Sequence, residues 1–307
     1  MLPENVQKVL KKQRYKIVGS HSAAKLCMWT RRSIRTGGKE HCYKEQFYKD
    51  IGIKSHRCMQ CTPAVSWCSL GCQFCWRATE LTLGQTIPKE DEPEKLVEGL
   101  LKAQRNLLAG LGGVSHDEKY LEEAQTPTNV ALSLSGDPMC YSKMSELLDV
   151  LHKRKMKTFV VTNGTFTKAM ENLETLPTQL YVSMSSFSKE MMDTVNRPMI
   201  KEAWKKYLET LDLFSTLKTR RAVRITLIKN LNMKSPEKYS ELLVKASPNF
   251  VEVKSFMSVG FSRNRLPYSA MPTHEEIKEF SQKICDNTDY KIADEKKSSR
   301  VVLLKKK

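Results

Sequence analysis

From Pro63 onward, short β-rich runs alternate with longer segments of helical periodicity, and this alternation constrains the fold more than any other feature. The β-rich runs are residues 64–67, 129–134, 158–162, 180–184, 222–228 and 250–254. The helical segments are residues 93–111, 144–153, 203–213, 236–246 and 274–286. Strands separated by helices form parallel sheets, because each strand needs a crossover to return to the same edge. Six units are too few for a closed eight-stranded barrel. The sequence therefore predicts an α/β fold, a partial (open) six-unit β/α barrel with its site at the carboxyl ends of the strands.

The residues before this alternating region follow a different pattern. They hold four cysteines and many basic side chains but no repeated strand–helix units. We divide the chain into a cysteine-rich N-terminal extension (residues 1–62), the partial barrel (residues 63–290) and a basic C-terminal tail (residues 291–307). Within the tail, residues 301–304 are strand-like.

Cysteine usage indicates metal ligation. The chain has nine cysteines in 307 residues, and seven of them fall between Cys27 and Cys75. The N-terminus lacks the apolar core of a signal peptide, and no apolar run is long enough to span a bilayer. We therefore expect a cytoplasmic protein with no membrane association. In a reducing compartment an odd, clustered set of cysteines favours metal binding over disulfides.

Three of these cysteines form one tight loop. Cys68, Cys72 and Cys75 have the spacing C-x3-C-x2-C directly after a predicted strand. Three thiolates in such a loop hold three irons of a cubane [4Fe–4S] cluster and leave the fourth iron open for a substrate or cofactor. A structural cluster would use a fourth ligand, so this spacing indicates chemistry at the open iron.

A zinc ribbon is the competing interpretation of the same region. Cys58-x2-Cys61 and Cys72-x2-Cys75 form a pair of CxxC motifs, as in a zinc-bearing, tRNA-binding protein. This pairing gives no role to Cys68, and the gap between the two motifs is shorter than usual.

The cysteine loop, with aromatic Phe74 before its last cysteine, resembles the signature of the radical S-adenosylmethionine (radical SAM) superfamily. The resemblance implies that S-adenosyl-L-methionine chelates the open iron and is cleaved to a 5′-deoxyadenosyl radical. A strand running into a Gly-Asp-Pro turn resembles the superfamily motif that orients the methionyl amino group. Weaker candidates for lining the cofactor site lie at or after predicted strand ends, where ordinary turn or core roles are also open. The cofactor-site candidates are Gly136, Asp137, Pro138, Asn163, Ser183 and Arg224.

A finer resemblance covers nearly the whole chain. The residues that carry it include His56-Arg-Cys-Met59, Cys72-Gln-Phe-Cys-Trp-Arg77, Asn196-Arg-Pro198, Val253-Lys254 and residues 262–274. Together they are similar to the tRNA 4-demethylwyosine synthase family, in its short archaeal-type form without a flavodoxin-like domain. The resemblance implies a radical SAM lyase that converts N1-methylguanosine, beside the anticodon of phenylalanine tRNA, and pyruvate into the wyosine precursor 4-demethylwyosine. The radical would abstract hydrogen from the N-methyl group, followed by addition to pyruvate, carbon–carbon cleavage and ring closure.

The same resemblance implies a second [4Fe–4S] cluster and a pyruvate site. Cys27, Cys42 and Cys58 match the positions of its ligands, and Cys61 is an extra cysteine that could supply a fourth ligand or replace Cys58. Lys44 falls where the family places a lysine proposed to form a Schiff base with pyruvate, although direct chelation of pyruvate by the cluster is an alternative. Lys254, at the end of the last predicted barrel strand, is a second catalytic candidate, with contact to a phosphate or the cofactor as its alternative role.

The net charge of +17 favours a polyanionic partner. With the family resemblance, the expected partner is the anticodon loop of tRNA-Phe, whose phosphates would contact basic residues that include Arg263 and Arg265. We expect a monomer that takes electrons from an external donor, flavodoxin or ferredoxin. The nearest enzymatic alternative is another two-cluster radical SAM enzyme that modifies RNA, such as a methylthiotransferase. That group usually has further domains, for which this chain has no room.

Overall fold

The computed structural model describes residues 2–307, which divide into two compact units. The first unit contains the chain up to Trp67 together with Leu83–Val161 and Leu173–Thr178. The second contains Cys68–Thr82, Thr162–Asn172 and Gln179–Lys307. The two groups of cysteines that the sequence singles out therefore belong to different units.

In the first unit, helices surround three parallel strands and a small antiparallel pair. The helices are α1 (Glu4–Lys12), α2 (Met28–Arg35), α3 (Tyr43–Phe47), α4 (Pro93–Ala109), α5 (Glu118–Ala124) and α6 (Met144–Lys153). The strands are β1 (Lys16–Val18), β2 (Ser22–Ala24), β3 (Cys58–Thr62), β4 (Asn129–Leu132) and β5 (Lys157–Thr162). β3 pairs in parallel with β4, and β4 with β5, whereas β1–β2 and β2–β3 are antiparallel.

The second unit repeats the parallel arrangement and ends in an antiparallel hairpin. Its helices are α7 (Thr167–Glu171), α8 (Lys189–Val195), α9 (Ala203–Thr216), α10 (Pro236–Ala246) and α11 (His274–Asp286). Its strands are β6 (Gln179–Met184), β7 (Arg220–Leu227), β8 (Phe250–Ser255), β9 (Tyr290–Lys296) and β10 (Val301–Lys306). β6, β7 and β8 pair in parallel, and β10 lies antiparallel between β8 and β9.

The fold class follows the sequence prediction. Each unit contributes three parallel strands, and β1 and β9 are edge strands paired on one side only, so the sheet is open. Most residues of the parallel strands β4, β6 and β8 are buried, as expected for strands covered by helices; all four residues of β4 are buried. Helix ends follow ordinary sequence signals. α4 begins at a proline, and α11 begins with a capping box formed by Thr273 and Glu276.

One predicted strand is misplaced. Residues 64–67 form a turn, and the strand is instead β3, which ends one residue before Pro63. Proline cannot donate to a strand ladder, so the apolar residues after it are buried in a turn, where the Trp67 amide donates to the Ala64 carbonyl at 3.2 Å. The strand-like run in the C-terminal tail, residues 301–304, is confirmed as part of β10. The sequence did not predict β9, because the residues of β9 are partly exposed and mostly polar or charged.

Candidate functional site

The loop that carries Cys68, Cys72 and Cys75 is held by backbone hydrogen bonds within the second unit. The Gly71 amide donates to the Arg197 carbonyl at 3.0 Å, and the Gln73 amide donates to the Val195 carbonyl at 2.9 Å. An isolated antiparallel bridge joins Leu70 to Pro198. The loop therefore runs along the segment that follows α8, which explains why an Asn-Arg-Pro motif far away in the sequence accompanies the cysteines.

Two asparagine side chains reach the thiols of this loop. Asn163 Nδ2 lies 3.6 Å from Cys68 Sγ, and Asn196 Nδ2 lies 3.3 Å from Cys72 Sγ. The sequence suggested Asn163 only as a cofactor-lining residue and gave Asn196 no role. Their separations from the cysteines, 95 and 124 residues, leave no local signal from which the contacts could be read.

The three thiols form one electrostatic group beside a buried arginine. Burial, and then the neighbouring Cys75 and Cys68, raise the pKa of the Cys72 thiol. Burial alone would lower the pKa of Arg77, but the adjacent thiolates outweigh it and raise that pKa. Among residues 2–307, no three histidine, cysteine or acidic side chains converge as ligands of a single metal ion. A thiolate-only set of three, balanced by a cation, fits a cubane cluster with one open iron.

Arg265 is part of the structure of this loop and not an exposed tRNA contact. Its side chain is 8% exposed and donates to the carbonyl oxygens of Gln73, Cys75 and Arg77. Its Nη1 also lies 2.7 Å from a carboxylate oxygen of Glu80. The expectation that Arg265 holds phosphates is therefore wrong, because its donors are already used. Arg263 remains exposed, with one bond from Nε to the Ser258 carbonyl.

The Gly-Asp-Pro turn lies in the first unit, against the backbone that leads into the cysteine loop. Gly136 has φ +70°, and a Cβ there would overlap the Ala64 carbonyl oxygen, so no other residue fits. The Asp137 amide donates to the Trp67 carbonyl at 2.8 Å, and its buried carboxylate accepts from the Met139 amide. Pro138 is buried in the short helical turn that follows.

The remaining cofactor and catalytic candidates of the second unit lie on neighbouring strands. Ser183 and Arg224 are register partners on β6 and β7. Arg224 Nε donates to the buried carboxylate of Glu252 at 2.9 Å. Lys254 Nζ donates to the Ser299 carbonyl at 2.5 Å. Arg224 and Lys254 thus have partners inside the protein.

The upstream cysteines gather in the first unit. Cys27 immediately precedes α2, Cys42 immediately precedes α3, and Cys58 is the first residue of β3. Burial, and then the charges of Cys27 and Cys42, raise the pKa of the Cys58 thiol to about 12. Ser55 links these segments, since its hydroxyl accepts from the Cys42 amide and its carbonyl accepts from Thr30 of α2, both at 2.9 Å.

Cys61 is set apart from this trio. It is fully buried, and it lies three residues after Cys58 on the same strand. Successive side chains of a strand point to opposite faces, so an odd spacing directs Cys61 away from the face that carries Cys58. Cys61 therefore lies in the core, on the opposite face of β3 from Cys58.

Lys44 lies beside the upstream trio. It is in the first turn of α3, two residues after Cys42, and its Nζ is 4.8 Å from the centre of the Phe159 ring. Its charge acts to lower the pKa of Cys58, which places it within electrostatic reach of that thiol. An amine beside thiolates and over an aromatic face is positioned to meet a small carbonyl compound bound at the same place.

Comparison with known proteins agrees with this geometry. Residues 62–243 match the family model "Radical SAM superfamily", and residues 245–306 match "Wyosine base formation". The chain is 47% identical over 309 residues to the S-adenosyl-L-methionine-dependent tRNA 4-demethylwyosine synthase of Pyrococcus abyssi, covering 99% of this chain and 89% of that protein. The corresponding protein of Methanocaldococcus jannaschii is 41% identical over 313 residues, covering 99% and 96%.

Solved structures give the same result. A structure described as TYW1 with a lysine-pyruvate adduct bound matches with a TM-score of 0.90 and 39% identity, covering 100% of this chain and 97% of that one. A crystal structure of archaeal TYW1 matches with a TM-score of 0.81 and 36% identity, covering the same shares. These matches decide against both alternatives raised by the sequence, a methylthiotransferase and a zinc-ribbon protein. The chain is a radical SAM enzyme and belongs to the S-adenosyl-L-methionine-dependent tRNA 4-demethylwyosine synthase family.

Proposed function

We propose that this chain converts N1-methylguanosine of tRNA-Phe and pyruvate into 4-demethylwyosine, with two [4Fe–4S] clusters. The observation that carries the proposal is the presence of two separate three-cysteine groups, one in each compact unit, with Lys44 beside the upstream group. One group suits reductive cleavage of S-adenosyl-L-methionine. The other suits the second substrate.

The downstream cysteines would hold the radical cluster. When bound there, the cluster and S-adenosyl-L-methionine supply the 5′-deoxyadenosyl radical. The chain's own contribution is a loop fixed by the Arg197 and Arg265 contacts, and a buried cation, Arg77, that offsets the negative charge of the thiolates. Gly136, Asp137 and Pro138 pack against the approach to this loop and would orient the methionyl end of the cofactor, with Asn163, Ser183 and Arg224 as further lining residues.

The upstream cysteines would hold the second cluster, with pyruvate as the substrate beside it. Lys44 is the group that would engage the pyruvate carbonyl, and a relative of similar structure is described with a lysine–pyruvate adduct. The amine must lose its proton before it can attack a ketone, and the contact of Lys44 with the Phe159 ring fixes where that amine lies. Lys254 is a less direct candidate, because its amine donates to the Ser299 carbonyl.

The net charge of +17 supports tRNA as the macromolecular substrate. No helix among residues 2–307 is long and apolar enough to cross a membrane. The enzyme would act in the cytoplasm as a monomer, with flavodoxin or ferredoxin as the electron donor. Exposed basic residues such as Arg263 are the ones available for phosphates of the anticodon loop.

The test is an anaerobic reaction of the reconstituted enzyme with N1-methylguanosine-containing tRNA-Phe, pyruvate, S-adenosyl-L-methionine and a reductant. Nucleoside mass spectrometry should detect 4-demethylwyosine, and 5′-deoxyadenosine should form in parallel. Omitting pyruvate should remove the modified nucleoside only. Formation of 5′-deoxyadenosine without any modified nucleoside, under all donor systems, would contradict the proposed substrate while leaving the radical chemistry in place.

Removing the upstream ligands tests the two-cluster count. Cys27→Ala and Cys42→Ala should lower bound iron from about eight to about four per chain, the value expected when one of two cubanes is removed. The variants should form no product but still cleave some S-adenosyl-L-methionine, since the radical loop is intact. Cys285→Ala is the matched control, because Cys285 is a buried cysteine of α11 outside both groups. Unchanged iron in Cys42→Ala would contradict the assignment.

A further inference from the structure

The two asparagines that touch the radical-loop thiols are held in place by neighbouring side chains. Asn163 Oδ1 accepts from the Thr165 amide at 3.0 Å and from the Thr165 hydroxyl at 2.7 Å. A backbone amide can only donate, so the oxygen of Asn163 must face Thr165 and its amide nitrogen must face Cys68. The Asn163 nitrogen also donates to the Ser69 hydroxyl at 2.9 Å, which leaves its other hydrogen for the thiol.

Asn196 is oriented in a similar way on the other side of the loop. It is 7% exposed, and its Oδ1 accepts from the hydroxyl of the buried Ser186 at 2.6 Å. Its Nδ2 then faces Cys72 Sγ at 3.3 Å. Two of the three ligand sulfurs are thus each approached by the nitrogen of a fixed carboxamide.

We infer that Asn163 and Asn196 are positioning residues that donate N–H···S hydrogen bonds to the cluster ligands and thereby raise the reduction potential of the radical cluster. Hydrogen bonds to ligand sulfurs are one of the factors that set the potential of such clusters. A reduced cluster has one more negative charge than an oxidised one, so donors to its thiolates stabilise the reduced form more. The electron that cleaves S-adenosyl-L-methionine must come from this cluster, and a higher potential makes it easier for a donor to load that electron.

This inference rests on the cluster assignment made above but not on the tRNA substrate. The assignment itself fails if Cys72→Ala retains the paramagnetic resonance signal that changes when S-adenosyl-L-methionine is added. If that signal depends on Cys72 while the asparagine variants leave the potential unchanged, only the present inference fails.

Carboxylate and alanine variants separate electrostatics from shape. Asn196→Asp has the same shape and can still accept from Ser186, but it replaces the donor with an acceptor. Potentiometric titration of the reconstituted enzyme should place the midpoint potentials in the order wild type, Asn196→Ala, Asn196→Asp, from highest to lowest. We expect a fall of about tenfold in the ratio of reduced to oxidised cluster for the alanine variant, which is about 59 mV for a one-electron couple. Asn163→Asp should shift the potential in the same direction, by less, because its contact is longer.

The control is Asn287→Ala, since the Asn287 side chain bonds to the Lys283 carbonyl at the end of α11 and not to a thiol of the radical loop. It should have the wild-type potential. A purely structural role would leave Asn196→Asp at the wild-type potential with full iron content, and that result would overturn the inference.

A measurement on the unaltered chain covers the case in which the variants fail to bind the cluster. Protein labelled with ¹⁵N in asparagine side chains should show hyperfine coupling between the reduced radical cluster and asparagine nitrogen. Among residues 2–307, Asn163 and Asn196 are the asparagines whose amides contact these ligand thiols. Absence of this coupling would contradict the inference.

Discussion

At the level of single residues, the cysteine loop is held by side chains that lie far from it in the sequence, among them Asn196 and Arg265. The six cysteines proposed as ligands, and Lys44, stand in spacings that have a chemical reason. The structure places these cysteines in two groups of three, with Lys44 beside the upstream group. Arg265 and Asn196 could not be assigned from sequence. The partners of Arg265 named above are 185 to 192 residues away and that of Asn196 is 124 residues away, so both sets of contacts depend on how the chain folds. The sequence predicts a tRNA contact for Arg265 because it is basic. In the structure its side chain is buried and holds the cysteine loop instead.

Lys44→Ala should lower product formation by about a hundredfold or more, the range expected for the loss of one positioned catalytic group. Cleavage of S-adenosyl-L-methionine in the absence of tRNA should persist, because the radical loop is in the other unit. Borohydride should trap a pyruvyl adduct on Lys44 of the wild type and none in Lys44→Arg, whose guanidinium cannot form the imine. Lys49→Ala, at an exposed lysine of the same segment, is the control. Near-normal turnover by Lys44→Ala would show that the amine is not needed.

Helices were predictable where their apolar spacing has a helical period. α6, α10 and α11 have the predicted bounds, and α10 and α11 also begin with a local signal, a proline and a capping box respectively. The error at β3 arose because the apolar residues 64–67, after Pro63, were taken as the strand, whereas the observed strand ends before the proline. The cysteine loop itself has no regular structure; long-range contacts fix its shape, and no local rule predicts them.

Arg265→Gln tests whether the cysteine loop depends on the hydrogen bonds that the Arg265 side chain donates to it. Glutamine cannot replace bonds to three carbonyl oxygens and a carboxylate, so a chelator should remove iron from the radical cluster several-fold faster than in wild type. Arg263→Gln is the matched neighbour. It should retain iron and bind tRNA more weakly. The slope of log K for tRNA binding against log salt concentration should become shallower by about 0.7 to 0.9 for each phosphate that the protein no longer neutralises. If a chelator removed iron from Arg265→Gln no faster than from wild type, the Arg265 contacts would not be needed to hold the loop.

The fold as a whole buries several ionisable thiols, and burial favours their neutral form unless a metal is bound. The pKa values of Cys58, Cys61 and Cys72 are all raised, in each case chiefly by burial. In the cluster-free protein these thiols are therefore held neutral, whereas a cluster requires its ligands as thiolates. Binding of a cluster would therefore ionise its ligand thiols. The free energy of unfolding of the cluster-free protein and that of the cluster-loaded protein should depend on pH in opposite ways.

The melting temperature measured against pH tests this. In the cluster-free protein, a thiol whose pKa is raised by folding contributes fully to stability below its ordinary pKa of 9.0. That contribution is lost as the pH rises towards about 12, the pKa of Cys58 in the folded protein. Stability should thus fall between pH 9 and pH 10. In the loaded protein the ligand thiols are ionised when folded and protonated when unfolded, so their contribution to stability should rise up to pH 9 and then level off. Cys61 is not a proposed ligand and contributes equally to both forms, so the difference between the two curves isolates the ligands. Parallel curves for the two forms would show that these thiols do not change ionisation when the cluster binds.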